Sequence, residues 1–181
     1  MNRCVALLRG INVGKAKRLA MADLRRVVES LGYTDVRTLL NSGNVVFDTR
    51  DTDLRRVAAR IEEAVAAHAG FVSRVIVVDR ALLATVVREN DLAARTDNPS
   101  RLLVAFVRDA AVLDGLAPLA ARDWSPEALH VGTRAAYLWC PEGVVDARVV
   151  DASWRVLGEG TTTRNWATVL KLCPLAGVSL P

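Results

Sequence analysis

The sequence predicts an α+β fold whose first 80 residues run β-α-β-β-α-β. Three observations predict it. Short β-rich runs alternate with two stretches of helical periodicity, a glycine stands where each of those helices should stop, and turn residues join the middle pair of runs.

Cys4–Arg9 (CVALLR) is a buried strand closed by Gly10, and Gly10-Ile11-Asn12-Val13-Gly14-Lys15 is a loop with glycine at two points. From Met21 to Leu31 the apolar residues Leu24, Val27, Val28 and Leu31 recur at i, i+3, i+4 and i+7. They form one helical face, ended by a left-handed cap at Gly32. Val36–Leu40 and Val45–Phe47 form a hairpin across Asn41-Ser42-Gly43-Asn44. Thr52 caps a second helix with apolar positions Leu54, Val57, Ala58, Ile61 and Val65, with His68 on the same stripe and Gly70 as its stop. Phe71–Val78 is the fourth strand. Right-handed crossovers then give the ferredoxin-like strand order 4-1-3-2, which brings the Gly10–Gly14 loop and the Asn41–Asn44 turn to one end of the sheet.

The second half repeats this in part. Asp79 caps a helix through Leu82, Leu83, Val86 and Val87, and a polar loop turns at Asp97-Asn98-Pro99. Leu102–Val107 is a strand, Val112–Ala121 a helical stretch interrupted by Pro118, and Leu129–Val131 with Ala135–Cys140 a hairpin. Val145–Leu157 and Thr163–Cys173 are helices, the last ended by Pro174. No final strand is evident. The expected architecture is therefore a duplicated ferredoxin-like fold with a degenerate second unit followed by C-terminal helices. Residues 1–80 and 81–181 are expected as two tightly packed subdomains, or as one domain.

Composition narrows the function classes. A chain of 181 residues, 51% of them hydrophobic, buries a core without a disulfide or metal staple. No apolar run approaches the ~20 residues of a membrane span, and the N-terminus reads as a strand rather than a signal peptide, so no membrane partner is expected. Cys4, Cys140 and Cys173 are far apart, without a Cys-x-x-Cys pair, and read as buried free thiols in a reducing, cytoplasmic setting. With only His68 and His130 in the chain, no metal or other cofactor is evident.

Charge is uneven. Residues 1–40 carry eight basic side chains against three acidic ones, and Lys15, Lys17 and Arg18 share the glycine-bounded loop, where charge can meet a ligand. The loop does not make an NTPase phosphate loop. It is one residue short of that pattern, and Ala16 replaces the metal-binding hydroxyl. Backbone N–H groups with Lys15 can still hold an anion loosely. Arg9, Asn12, Ser42 and Asn44 converge at the same sheet end, although turn asparagines also serve the backbone alone. Thr163-Arg164-Asn165-Trp166 opens the last helix, with Trp166 facing the core. Arg164 in a first turn opposes the helix dipole and calls for an acidic partner. No Gly-x-Ser-x-Gly elbow, His-Glu-x-x-His motif or paired carboxylates point to a reaction, so catalytic residues are unknown.

Three stretches carry a family likeness: residues 6–14 (ALLRGINVG), 41–47 (NSGNVVF) and 163–172 (TRNWATVLKL). The chain resembles the bacterial family of uncharacterised proteins known as domain of unknown function 1697. That resemblance implies a duplicated ferredoxin-like architecture and no established activity. Such proteins tend to carry a Ser-Lys pair after the Pro-x-Gly of the last hairpin, whereas here Pro141-Glu142-Gly143 leads into Val144-Val145.

Three readings follow. The first is a binding protein for a small anion, a nucleotide or a nucleic-acid backbone, through Arg9, Asn12, Lys15, Ser42, Asn44, Arg164 and Asn165. The second is an enzyme acting on a phosphorylated or anionic metabolite, and the third a scaffold or oligomerising domain with no ligand.

Overall fold

The computed structural model describes residues 1–14 and 16–180, and holds two four-stranded antiparallel sheets with helices. Two compact units share the chain: Met1–Leu83 with Pro174–Val178, and Ala84–Cys173 with Ser179 and Leu180.

The first unit comprises β1 (Asn2–Leu8), α1 (Met21–Ser30), β2 (Thr34–Leu39), β3 (Asn44–Thr49), α2 (Leu54–Ala69) and β4 (Val75–Asp79), with the sheet order β2-β3-β1-β4. Its central strand reads CVALL over Cys4–Leu8, buried throughout. A strand apolar on both sides of the pleat needs cover on both faces. One set of side chains, including Cys4, Ala6, Leu8, Val45, Phe47 and Val77, packs with Leu24, Val27 and Val28 of α1 and Val57, Ile61 and Val65 of α2. Each aliphatic side chain so buried stabilises the unit by about 1.5–3 kcal/mol. The opposite set, Val5, Leu7, Val46, Ile76 and Val78, is buried as well. The edge strand β2 carries a bulge between Thr34 and Arg37, with Asp35 at φ 46°.

Local signals explain the helix ends. Gly70 takes φ 74° after α2, and Gly32 takes φ 84° after α1. The cap of α2 is Asp53 rather than Thr52. Its carboxylate accepts from the Arg55 and Arg56 N–H groups, because the helix starts one residue later than the Thr52 reading requires. His68 is exposed in the last turn of α2 and not on the buried stripe, since the stripe's drift carries it past the core edge.

The remaining elements are α3 (Arg80–Arg88), β5 (Leu102–Val107), α4 (Ala117–Ala120), β6 (Ala128–Val131), β7 (Ala135–Trp139), α5 (Arg148–Leu157), β8 (Thr161–Asn165) and α6 (Trp166–Ala176). Asp79 does cap α3, accepting from the Leu82 N–H at 2.8 Å. Pro118 does not interrupt a helix. A 3-10 stretch, Ala110–Leu116, leads into α4, and the proline stands at its start, where its missing N–H costs nothing.

The main correction concerns the end of the chain. Thr161–Asn165 is a strand paired antiparallel with β5, Val104 opposite Arg164 and Phe106 opposite Thr162. The second sheet therefore has the order β6-β7-β5-β8 and lacks no strand. A run of three threonines serves equally as a helix cap or as a β-branched strand, and the open edge of β5 decides for the strand. On one face Leu103, Ala105, Ala136 and Leu138 pack with Leu113, Leu116, Trp124, Val149 and Leu157. On the other, Tyr137 is fully buried and donates its hydroxyl to the Val86 carbonyl at 2.7 Å.

Candidate functional site

The loop end of the first sheet, where β1 and β2 finish and β3 and β4 begin, gathers most of the residues singled out in the sequence. Asn12 is its fastener. Its amide donates to the carbonyls of Leu19 and Asn41, both at 2.8 Å, and its carbonyl accepts from the Leu19 N–H at 2.9 Å. With φ 57° it holds the left-handed conformation that asparagine tolerates better than most residues. One side chain thus ties the 10–19 loop to the hairpin turn, and the two loops meet as the strand order requires.

Gly43 has a requirement of its own. It takes φ 78°, and a Cβ there would lie 2.8 Å from side-chain atoms of both Leu8 and Ile11. Its carbonyl accepts from the Leu8 N–H, so the turn is pressed against the end of β1. Asn44 is fully buried and donates to the Leu39 carbonyl and to Ser42 Oγ. On the other side, the Arg9 N–H donates to the Arg74 carbonyl, Ser73 Oγ donates to the Arg9 carbonyl, and Lys17 Nζ donates to the Val72 carbonyl at 3.1 Å.

Next to this fastening lies an open depression of about 310 Å³ lined by Asn12, Arg18, Leu19, Ala20 and Asn41. The N-terminus of α1 opens onto it. Ala20, the cap residue, offers no side-chain acceptor, so the first N–H groups of α1 are not capped from within. Asp23 stands in the first turn and pairs with Arg26. The stretches 9–20, 38–47 and 69–78 that build this end carry Arg9, Lys15, Lys17, Arg18 and Arg74 and no carboxylate. Arg74 reaches Glu62 of α2 at 3.7 Å.

The seven sequence candidates fare differently. Arg9, Asn12, Ser42 and Asn44 stand together at this end, while Lys15 lies outside the described residues. Asn12 and Asn44 spend their amides on backbone and on Ser42, which is the turn-satisfying role. Arg164 and Asn165 belong to the second unit. Arg164 is not in a helical first turn. It lies on β8, 7% exposed, donating to Thr162 Oγ1 and to the Thr163 carbonyl, and burial pushes it down to about 10, still charged at neutral pH. The conflict with a helix dipole disappears with the helix. Asn165 caps α6, its Oδ1 accepting from both the N–H and the hydroxyl of Thr168. Trp166 is 4% exposed. Arg18, read as part of the basic loop but not as a site residue, lines the depression. Asn41, read only as part of the hairpin turn, and Ala20, which the sequence did not mark, line it as well.

Elsewhere the chemistry is muted. A second depression of about 280 Å³ is lined by Glu127, Glu142 and residues 143–147, where the Ser-Lys pair would stand. Glu127 is committed to capping α5, accepting from the Arg148 and Val149 N–H groups. Cys4, Cys140 and Cys173 are buried, and burial raises the thiols of Cys4 and Cys140 to about 12 and that of Cys173 to about 11. None is a thiolate nucleophile at neutral pH. Among the described residues no three His, Cys, Asp or Glu side chains are grouped to hold a metal, and no helix is long and apolar enough to cross a membrane.

Fold and site together define an α+β protein of two four-stranded units, with loops at one end of the first that carry basic residues and no carboxylate of their own. The chain belongs to the family described as "Protein of unknown function (DUF1697)", whose model matches residues 1–137. The third stretch of the family likeness, 163–172, lies beyond that match. A solved structure, described as that of conserved bacterial protein SP0830 from Streptococcus pneumoniae, aligns over 98% of this chain and 99% of its own, with TM-score 0.78 and 25% identity. No curated protein matches the chain.

Proposed function

We propose that this chain is a binding protein for a phosphate-bearing anion, taken up at the loop end of the first unit. The supporting observation is the depression beside Arg18 and Asn12, onto which the N-terminus of α1 opens without a side-chain cap, amid loops whose described residues include Arg9, Lys17, Arg18 and Arg74 and no carboxylate of their own. Arg18 supplies the mobile charge and α1 the fixed N–H donors, while Asn12 holds the loop that presents both. Arg164 and Asn165 drop out of this reading, since the first is buried on β8 and the second caps a helix. The ligand is a small anion, a nucleotide, or the backbone phosphates of a nucleic acid.

The same reading takes the two units as copies of one ferredoxin-like fold, supported by their matching strand orders, and places the protein in the cytoplasm on the strength of its three unpaired thiols. The enzyme alternative has less behind it, because the described residues that line the depression include no carboxylate, histidine or thiol.

Thermal unfolding with inorganic phosphate, pyrophosphate and nucleotides tests the proposal. Ligand at a hundredfold excess over Kd stabilises by about 2.7 kcal/mol, a shift of several degrees. Arg18→Gln and Lys15→Gln should each reduce the shift without lowering the ligand-free melting temperature. Shifts that both variants retain in full would remove the site.

A further inference from the structure

The loop end also exposes apolar residues that the anion reading does not use. Among the described residues, the large exposed hydrophobic side chains are Met1 and Leu180 near the chain ends, together with Val13, Leu40, Val72 and Val145. Of the four away from the ends, three stand at this one end of the first sheet. They are Val13 at 72% exposure, Val72 at 61% and Leu40 at 47%. They come from three different loops. The Asn12 bond to Asn41 and the Lys17 bond to Val72 tie those loops together. Leu40 is doubly unfavourable where it stands. Its φ is 57°, where asparagine or glycine costs less, and its side chain faces water. Aliphatic tips among Arg9, Lys17 and Arg18, in loops whose own residues include no carboxylate, complement a surface that is anionic outside and apolar within.

Resting on the anion-binding reading above, we infer that the loop end of the first unit docks on an anionic lipid bilayer. Val13, Leu40 and Val72 enter the headgroup–acyl boundary, and Lys17 and Arg18 meet lipid phosphates. Interfacial binding of this kind adds buried apolar area to attraction for anionic lipid and needs no membrane span. The sequence expectation of no membrane partner rested on the lack of a span, which an interfacial contact does not require. Single-stranded nucleic acid fits less well. It is held by aromatic stacking, yet the exposed apolar residues here are all aliphatic, and both faces of the sheet are buried.

Co-sedimentation with vesicles tests this. One set is phosphatidylcholine alone and the other phosphatidylcholine with phosphatidylglycerol, each at low and high salt. The protein should bind only the anionic vesicles, and less at high salt. Replacing Lys17 or Arg18 with Gln should lower partitioning about fivefold each. The triple variant Val13→Ser, Leu40→Asn, Val72→Ser should lose more than about tenfold while keeping its thermal response to inorganic phosphate. All three side chains are exposed, so folding is preserved, and Val13→Ser alone serves as the check if the triple variant melts early. A phosphate response without vesicle binding would overturn this inference and leave the anion site standing. Equal binding by the triple variant would also overturn it. So would tighter binding to a single-stranded oligonucleotide that the triple variant retains, which would identify nucleic acid as the partner. A protein insensitive to phosphate, with or without Arg18, would sink the underlying reading.

Discussion

Asn12 illustrates how a residue chosen for its chemistry can turn out to be committed to its own chain. An amide at the end of a strand is as good a ligand group as any, and nothing within a few residues says otherwise. Its partners are Leu19, seven positions on, and Asn41, twenty-nine positions on. Only the strand order brings them near. Asn44 and Asn165 were legible as polar and near turns, but their partners depend on where β3 and α6 start, which local pattern leaves open by a residue or two. Asn12→Ala removes three hydrogen bonds and places alanine at a positive φ. Unfolding in urea should show a loss of about 1.5–3 kcal/mol, with the anion response lost alongside because the loop no longer presents Arg18. An Asn12→Ala protein as stable as the wild type would show that the loop is held by something else.

At the scale of elements, the first half of the fold was readable because each signal agreed with its neighbours: period, glycine stop, turn. The last strand was not, because threonines before an Arg-Asn-Trp run suit two structures and only the vacancy beside β5 distinguishes them. The start of α2 shows a similar competition and yields a pH prediction. Arg56 bonds the Asp51 carboxylate through both Nε and Nη2, and the Asp53 N–H donates to it as well. First the Arg56 bond and then the Asp53 N–H hold Asp51 at about 2, below the ordinary 3.8. A carboxylate depressed in the folded state contributes stability above its unfolded pKa and loses it as pH falls toward the folded one. The contribution should therefore be intact above pH 3.8 and fade down to about 2. Comparing acid unfolding of the wild type and Asp51→Asn should show a shallower dependence for the variant in that window. Parallel curves would mean that the pair is solvent-screened to nothing.

Across the whole molecule, the two units repeat one hydrogen bond at the residue after the strand that opens each sheet. The Arg9 N–H donates to the Arg74 carbonyl just before β4, and the Arg108 N–H donates to the Gly160 carbonyl just before β8. The thiols make convenient reporters of the two units, Cys4 in the first and Cys140 and Cys173 in the second. All three are fully buried. Each should stay unreactive toward an alkylating reagent in native buffer and become labelled only when its own unit opens. Labelling across a denaturant series, read by mass spectrometry, would give the stability of each unit separately. Labelling of any of the three in native buffer would contradict the burial described above.

The bulge in β2 has a consequence for the protein in crowded solution. An unpaired edge strand is an invitation to a neighbouring molecule, since its open N–H and C=O groups can accept another strand. Here the left-handed Asp35 breaks the line of those groups, and its carboxylate draws Arg3 and Arg37 around the kink at 2.7 and 3.0 Å. An approaching strand would meet a step in register and a knot of charge that must be stripped of water before any pairing begins. The kink therefore acts as a stopper against edge-to-edge growth. It guards the rim of the sheet at the cost of a single irregular residue.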